Sequence, residues 1–329
     1  MTSLSQPVLA SYWIPAVGIG NPIQWVKVPL SEILNYTLAN GTPQTRIVFL
    51  GYGNFSCTPA NFQPPYISIA PGVLQQLTLQ PGQTRTNVQQ LQAAGIKVLL
   101  SVAGTRATQM GWDTIPYGQG SSKYADMIAF AKWVQTDLID AYGLDGIDVD
   151  DEWAPTHPQA FMDTVGTLRN FMSGSLLTKA LWNDDAHFQT AVSSDAPYNA
   201  GAMLSSLLDL GCTMAYGYSF ADQVQAIATY QGYGMSWNQL CVGVQAGTGQ
   251  WMTPLKEVTQ LAQWAVAPAP SGNPPVLGIM LYTFSQDIQQ WTHAPPNSPG
   301  YMYPNANDHE WQQAIVDGMW GPGNWIVNG

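Results

Sequence analysis

Apolar and polar positions along this chain fall into short alternating blocks. Strand-like apolar runs occupy residues 8–13, 46–51, 96–101, 188–193, 212–217, 240–244 and 276–282, with an acidic variant at 144–153. Segments with helical spacing lie between or after them, at 31–39, 84–94, 122–142, 157–172, 200–210, 221–231, 255–265 and 308–319. In the third of these, Met127, Ile128, Ala131 and Val134 mark one face. Ser31 is the expected cap of the first helix, which Asn40-Gly41 stops, while Gly95 and Gly143 close two others. Eight strand–helix alternations predict the α/β class, with a parallel sheet closing into a single (β/α)8 barrel, the TIM barrel. No charge run, low-complexity block or composition break divides the chain, so one barrel domain over residues 1–329 is expected. An open doubly wound sheet would carry a glycine fingerprint after its first strand, and none is present.

The fourth strand breaks the apolar rule. It reads Leu144-Asp145-Gly146-Ile147-Asp148-Val149-Asp150-Asp151-Glu152-Trp153. Strand alternation puts Asp148, Asp150 and Glu152 on one face and Ile147 and Val149 on the other. At roughly 3.3 Å per residue the three carboxylates stand about 6.6 Å apart in sequence along a line. Three acids so close cannot all ionise cheaply in a partly buried place, so at least one pKa is expected to rise. A raised carboxyl suits a general acid near neutral pH. Two other readings are a divalent-ion site and a solvated acidic loop, but a loop does not explain the alternation with Ile147 and Val149. Catalytic groups of such barrels belong at the carboxyl ends of strands, where Glu152 falls.

Composition narrows the partners. The chain has 329 residues, 46% of them hydrophobic, enough for one large core. Only 9% are charged and the net charge is −11, which disfavours nucleic acid and anionic membranes as partners. Neutral polar ligands suit such a surface better. Thirteen tryptophans and fifteen tyrosines exceed what a core needs, and flat aromatic faces serve as platforms for sugar rings. Trp13, at the end of the first strand, and Trp153, after the acidic one, are candidates of this kind. Cys57, Cys212 and Cys241 form no disulfide framework and no zinc spacing, and the four histidines lack ligand spacing, so a histidine-based metal centre is not expected. No apolar run reaches 18 residues and no signal-peptide pattern opens the chain, although the composition favours an extracellular setting.

Two further strands converge on the same end. In the sixth, Met214, Tyr216 and Tyr218 share a face, and the Tyr216 phenol can donate to a developing negative oxygen. In the eighth, Met280 and Tyr282 share a face. Met214 and Met280 either line a binding site or fill the barrel, whereas the two tyrosine hydroxyls need partners.

Asp145-Gly146-Ile147-Asp148-Val149-Asp150-Asp151-Glu152 resembles the Asp-Gly-x-Asp-x-Asp-x-Glu motif of glycoside hydrolase family 18, with every defined position filled. That family, of chitinases and endo-β-N-acetylglucosaminidases on a (β/α)8 barrel, carries the motif on strand four. Its third-strand Ser-x-Gly-Gly appears as Ser101-Val102-Ala103-Gly104, with alanine for one glycine. Its Met-x-Tyr matches Met214-Ala215-Tyr216, followed by Gly217 where many chitinases have Asp or Asn. Its Gly-x-Met-x-Trp appears as Gly278-Ile279-Met280-Leu281-Tyr282, with Tyr for Trp. The Asp150-Asp151-Glu152 ending is similar to the endo-β-N-acetylglucosaminidase branch. The resemblance implies a substrate containing N-acetylglucosamine and retaining, substrate-assisted hydrolysis without metal or cofactor. Under it Glu152 is acid and base, and Asp150 holds the sugar's acetamido group and shares a proton with Asp148. Tyr216 binds the acetamido carbonyl and Tyr282 floors the subsite, with Ser101, Met214, Met280, Tyr218, Trp13 and Trp153 around the substrate. Chitin-like or peptidoglycan polymers are the alternative substrates, and a non-catalytic sugar-binding relative is the alternative of another class.

Overall fold

The computed structural model describes residues 6–19, 24–103, 110–118, 122–152, 156–182, 184–247, 251–267, 275–287 and 309–328. Eight parallel strands form a ring: β1 (Val8–Trp13), β2 (Thr45–Phe55), β3 (Lys97–Ala103), β4 (Gly146–Asp150), β5 (Leu176–Leu181), β6 (Leu210–Thr213), β7 (Leu240–Gln245) and β8 (Gly278–Tyr282). Each pairs with its neighbours in sequence, and β1 pairs with both β2 and β8, which shuts the barrel. Around it run α1 (Pro71–Leu77), α2 (Asn87–Ala93), α3 (Ala125–Trp133), α4 (Pro158–Phe171), α5 (Asp185–Gln189), α6 (Leu204–Leu207), α7 (Phe220–Gly232), α8 (Leu255–Val266) and α9 (Glu310–Trp320). The architecture is a (β/α)8 barrel.

Alternation along the strands divides the core into two layers. Leu9, Trp13, Val48, Leu50, Val98, Leu100, Ile147 and Val149 face the helices. Val8, Ala10, Tyr12, Ile47, Phe49, Leu99, Cys212 and Met280 fill the ring itself. Local rules fix the helix ends. Thr86 Oγ1 accepts from the Gln89 amide at 3.1 Å while Gln89 Oε1 accepts from the Thr86 amide at 3.0 Å, a reciprocal cap that starts α2. Ser219 caps α7 in a similar way, accepting from the Asp222 amide at 3.3 Å.

Four sequence expectations are corrected. The fifth strand is Leu176–Leu181 rather than 188–193, because Phe188 belongs to α5 and packs under Tyr230 and Tyr233. Helix 200–210 shrinks to the single turn of α6, since Leu210 already pairs with Thr178 in the sheet. The helix expected from Ser31 is a 3-10 segment, Leu30–Asn35, without a side-chain cap, and it gives way to a short strand, Tyr36–Thr37, paired with Ile326–Val327. Strand six ends at Thr213, so Met214, Tyr216 and Tyr218 lie beyond it and do not share a strand face.

Candidate active site

β4 turns its carboxylates inward because Ile147 and Val149 are committed to the helix-facing core. Asp148 is fully buried and both its oxygens receive hydroxyl donors. Tyr12 Oη donates to Oδ2 at 2.6 Å, Ser101 Oγ to Oδ2 at 2.9 Å and Thr178 Oγ1 to Oδ1 at 2.7 Å. Ser101 and Thr178 are its register partners on β3 and β5, while Tyr12 comes from β1. Burial raises the Asp148 pKa, against the opposing pull of these three donors and of the Lys179 charge.

Asp150 lies two residues further along, nearly buried, with no hydrogen-bond partner at Oδ1. Burial pushes its pKa well up, and the neighbouring Glu152 and Asp148 charges push it further. Glu152 follows just beyond the strand end, at the open mouth. Partial desolvation raises its carboxyl pKa, Lys179 opposes the rise, and Asp151 adds to it. Among the described residues, no three His, Cys, Asp or Glu side chains are grouped as metal ligands.

Above these acids opens a cleft of about 380 Å³ lined by Glu152, Trp182, Met214, Tyr216, Gln245, Trp251 and Tyr282. Its size falls in the range of small-ligand pockets. The Tyr216 and Tyr282 rings stack, with centroids 5.6 Å apart and planes 22° apart. Tyr52 Oη donates to Tyr282 Oη at 3.0 Å, which fixes one side of that stack. The Tyr216 hydroxyl reaches Met280 Sδ at 3.9 Å, a weak acceptor that leaves the group available to a better one. Burial comes first in raising the pKa of Tyr216 and of Tyr282, so both are protonated donors at working pH.

Glu152, Tyr216, Met214 and Tyr282 therefore meet in one cleft, with Asp150 and Asp148 behind Glu152 along β4. Ser101 and Met280 sit inside the ring, Ser101 bonded to Asp148 and Met280 packed beside Tyr216, so neither forms the cleft wall. Trp13 is corrected: alternation along β1 turns it toward the helices, where it is buried with its indole N–H donating to the Val28 carbonyl at 3.2 Å. Tyr218 is exposed and lines an adjoining cleft with Trp182, Asp222 and Tyr230, which meets the Glu152 cleft at Trp182. Trp153 lies outside the described residues.

Tyr12, Tyr52, Trp182, Gln245 and Trp251 were not anticipated. Tyr12 was readable, since strand parity puts it, not Trp13, inside. Gln245 lies one position past the apolar run 240–244, and Trp182 follows a strand whose polar middle hides it. Trp251 carries no signal beyond being an aromatic residue in a loop after a strand.

No family model matches the sequence. Three solved structures share the fold over nearly the whole chain. Catalytic domain 2 of the Ostrinia furnacalis Group II chitinase is 14% identical, with a TM-score of 0.60, covering 97% of this chain and 98% of that one. A fungal endo-β-N-acetylglucosaminidase from glycosyl hydrolase family 18 is 15% identical, with a TM-score of 0.59, covering 97% and 100%. A mutant endo-β-N-acetylglucosaminidase from Cordyceps militaris, in complex with fucosyl-N-acetylglucosamine-Asn, is 18% identical, with a TM-score of 0.58, covering 96% and 92%. What this chain shares with these three proteins is the (β/α)8 fold.

Proposed function

We propose that the protein is a retaining glycoside hydrolase that cuts β-1,4 linkages next to N-acetylglucosamine, with the chitobiose core of N-glycans as its substrate. The observation that carries the reading is the line from buried Asp148 through Asp150, with its unpartnered Oδ1, to Glu152 in a cleft walled by tyrosine and tryptophan. The fold-sharing chitinases and endo-β-N-acetylglucosaminidases support it, and the Asp150-Asp151-Glu152 ending favours the second group.

In this reading the Glu152 carboxyl gives its proton to the glycosidic oxygen as the bond to the anomeric carbon breaks. The carbonyl oxygen of the sugar's own 2-acetamido group bonds to that carbon, forming an oxazolinium ion. Asp150 Oδ1 accepts the acetamido N–H, and the carboxylate stabilises the positive charge. Tyr216 donates to the acetamido carbonyl and Tyr282 packs beneath the ring. Water then attacks the anomeric carbon from the face the leaving group vacated and gives its proton to Glu152. The oxazolinium ring opens, and the product keeps the β configuration.

The test is to offer a high-mannose glycoprotein and a chitin oligosaccharide side by side. Release of glycan from the glycoprotein is expected. Cleavage of the oligosaccharide alone would replace the N-glycan assignment by a chitinase, and cleavage of neither kind of substrate would end the hydrolase reading.

A further inference from the structure

Beneath the candidate acid, on the helix-facing side of the barrel, lies a buried ion pair that the proposed chemistry does not use. Lys179 sits in the middle of β5 with no exposed surface, an unusual place for a lysine. Its Nζ is 2.8 Å from Asp184 Oδ1, donates to the Ala180 carbonyl at 2.9 Å, and reaches the Asp151 carbonyl at 3.4 Å. Asp184, also buried, accepts from the Trp182 amide at 2.6 Å and from Tyr230 Oη at 3.4 Å. His187, stacked on Phe161 with centroids 3.7 Å apart, brings Nδ1 to 3.5 Å from Asp184. One arm of the pair therefore holds the peptide directly before Glu152, and the other holds the backbone of Trp182. Those two residues lie on different loops and line the same cleft.

We infer that Lys179, paired with Asp184, is a positioning residue that fixes the candidate acid Glu152 and the aromatic wall Trp182 relative to each other; the claim rests on the hydrolase reading above. A buried ion pair is weak support for stability, because desolvation offsets the attraction, and apolar replacements often fold as well. Holding two loops at one point is a reason to keep it. The charge reaches the site as well: Lys179 opposes the upward shift of Asp148, Asp150, Asp151 and Glu152. The groups facing it are Asp184, Asp151, Asp150 and His187, and those facing Glu152 are Asp150, Asp151, Tyr216 and Tyr282.

The experiment uses the full chain with ¹³C-labelled glutamate. The sequence has only Glu32, Glu152, Glu257 and Glu310, and Glu152→Gln assigns the resonance of interest. Lys179→Met removes the ammonium; Lys179→Met/Asp184→Asn also removes the stranded charge while keeping an oxygen for the Trp182 amide, and serves if the single variant does not fold. In the folded variant the Glu152 carboxyl is expected to titrate at higher pH than in the wild type. On whichever N-acetylglucosamine substrate the wild type cuts, kcat is expected to fall at least tenfold while KM stays within about threefold, a barrier change of about 1.4 kcal/mol or more. A wild-type-like Glu152 titration in the folded double variant, or an unchanged kcat, would overturn the positioning role. A wild type that cuts no such substrate would remove the hydrolase reading instead, and the carboxyl titration would still decide the anchoring.

Discussion

Tyr12 Oη stands 2.6 Å from Asp148 Oδ2, although 136 positions separate the two residues. The bond crosses from β1 to β4 and joins Ser101 and Thr178 in surrounding a carboxylate that no water-facing group touches. Tyr12→Phe keeps the ring and removes one donor. The unfolding free energy is expected to fall by about 1–3 kcal/mol, as for a buried hydrogen bond whose acceptor is left short. Urea denaturation checks this, and a midpoint unchanged from the wild type would mean that the other two hydroxyls suffice.

Glu152→Gln keeps the shape of the side chain but has no proton to give. Turnover is expected to fall by about 10²–10⁴-fold, the usual contribution of a positioned acid. Binding of an N-acetylglucosamine oligosaccharide, followed by calorimetry, is expected to survive. A variant that turns over at the native rate would take Glu152 out of the reaction.

Asp150→Asn leaves a hydrogen-bonding group in place but removes the charge beside the proposed cation. A loss of about 10²–10³ in kcat is expected, comparable to removing one preorganised electrostatic partner. Parallel assays on a substrate without the acetamido group bear on the same step, since equal cleavage of both would exclude participation by the sugar.

Trp182 and Trp251 line the cleft from two loops, and Trp251 is 49% exposed. Trp251→Ala removes a stacking face without emptying the core. KM is expected to rise roughly tenfold, or about 1.4 kcal/mol of binding, with kcat little changed. A fall in kcat at constant KM would instead point to a role in the chemical step.

Several buried carboxyls share one pH signature. Burial raises Asp148, Asp150 and Asp151, and it raises Asp287 to about 6 despite the opposing influence of His309 and the Gln312 and Trp311 amides. Each folded-state pKa lies above its unfolded value, so the folded chain binds protons that the unfolded chain releases. The resulting stabilisation is complete below about pH 4 and is lost as pH rises through the folded pKa. For Asp287 the window runs from about pH 4 to about 6 and amounts to roughly 3 kcal/mol. Asp113 works the other way: burial disfavours its charge, but Thr156 and His157 outweigh that and lower its pKa. The thermal midpoint is expected to fall between about pH 4 and 7, and Asp287→Asn to flatten that fall. A midpoint that rises across this interval would contradict the assignment of these groups.

The ring was legible because six of its eight strands are uninterrupted or nearly uninterrupted apolar runs, and the acidic one alternates without a break. β5 was not, because Thr178 and Lys179 sit in the middle of Leu176–Leu181 and hide a strand whose polar residues are satisfied only in three dimensions. The candidate acids were readable from period-two alternation alone. Their surroundings were not, because Tyr12, Tyr52 and Gln245 come from strands whose parity or boundaries decide everything, Trp182 directly follows another, and one position of error sends a side chain to the other face. Trp13 is that error. Gly243 shows a constraint invisible in one dimension: a Cβ there would strike the Thr213 carbonyl and come within 2.9 Å of the Tyr216 ring.

The seam between β1 and β8 joins the beginning of the barrel to its end, with Val8 opposite Gly278 and Ser11 opposite Leu281. Tyr12 and Tyr282 flank that seam, and their rings stand 5.5 Å apart. A nascent chain still missing its last strand can hold Asp148, Asp150 and Glu152 in order, yet it has no Tyr282 beside them. Closure of the ring and completion of the cleft are therefore one event, because a wall of the cleft comes from the strand that shuts the barrel.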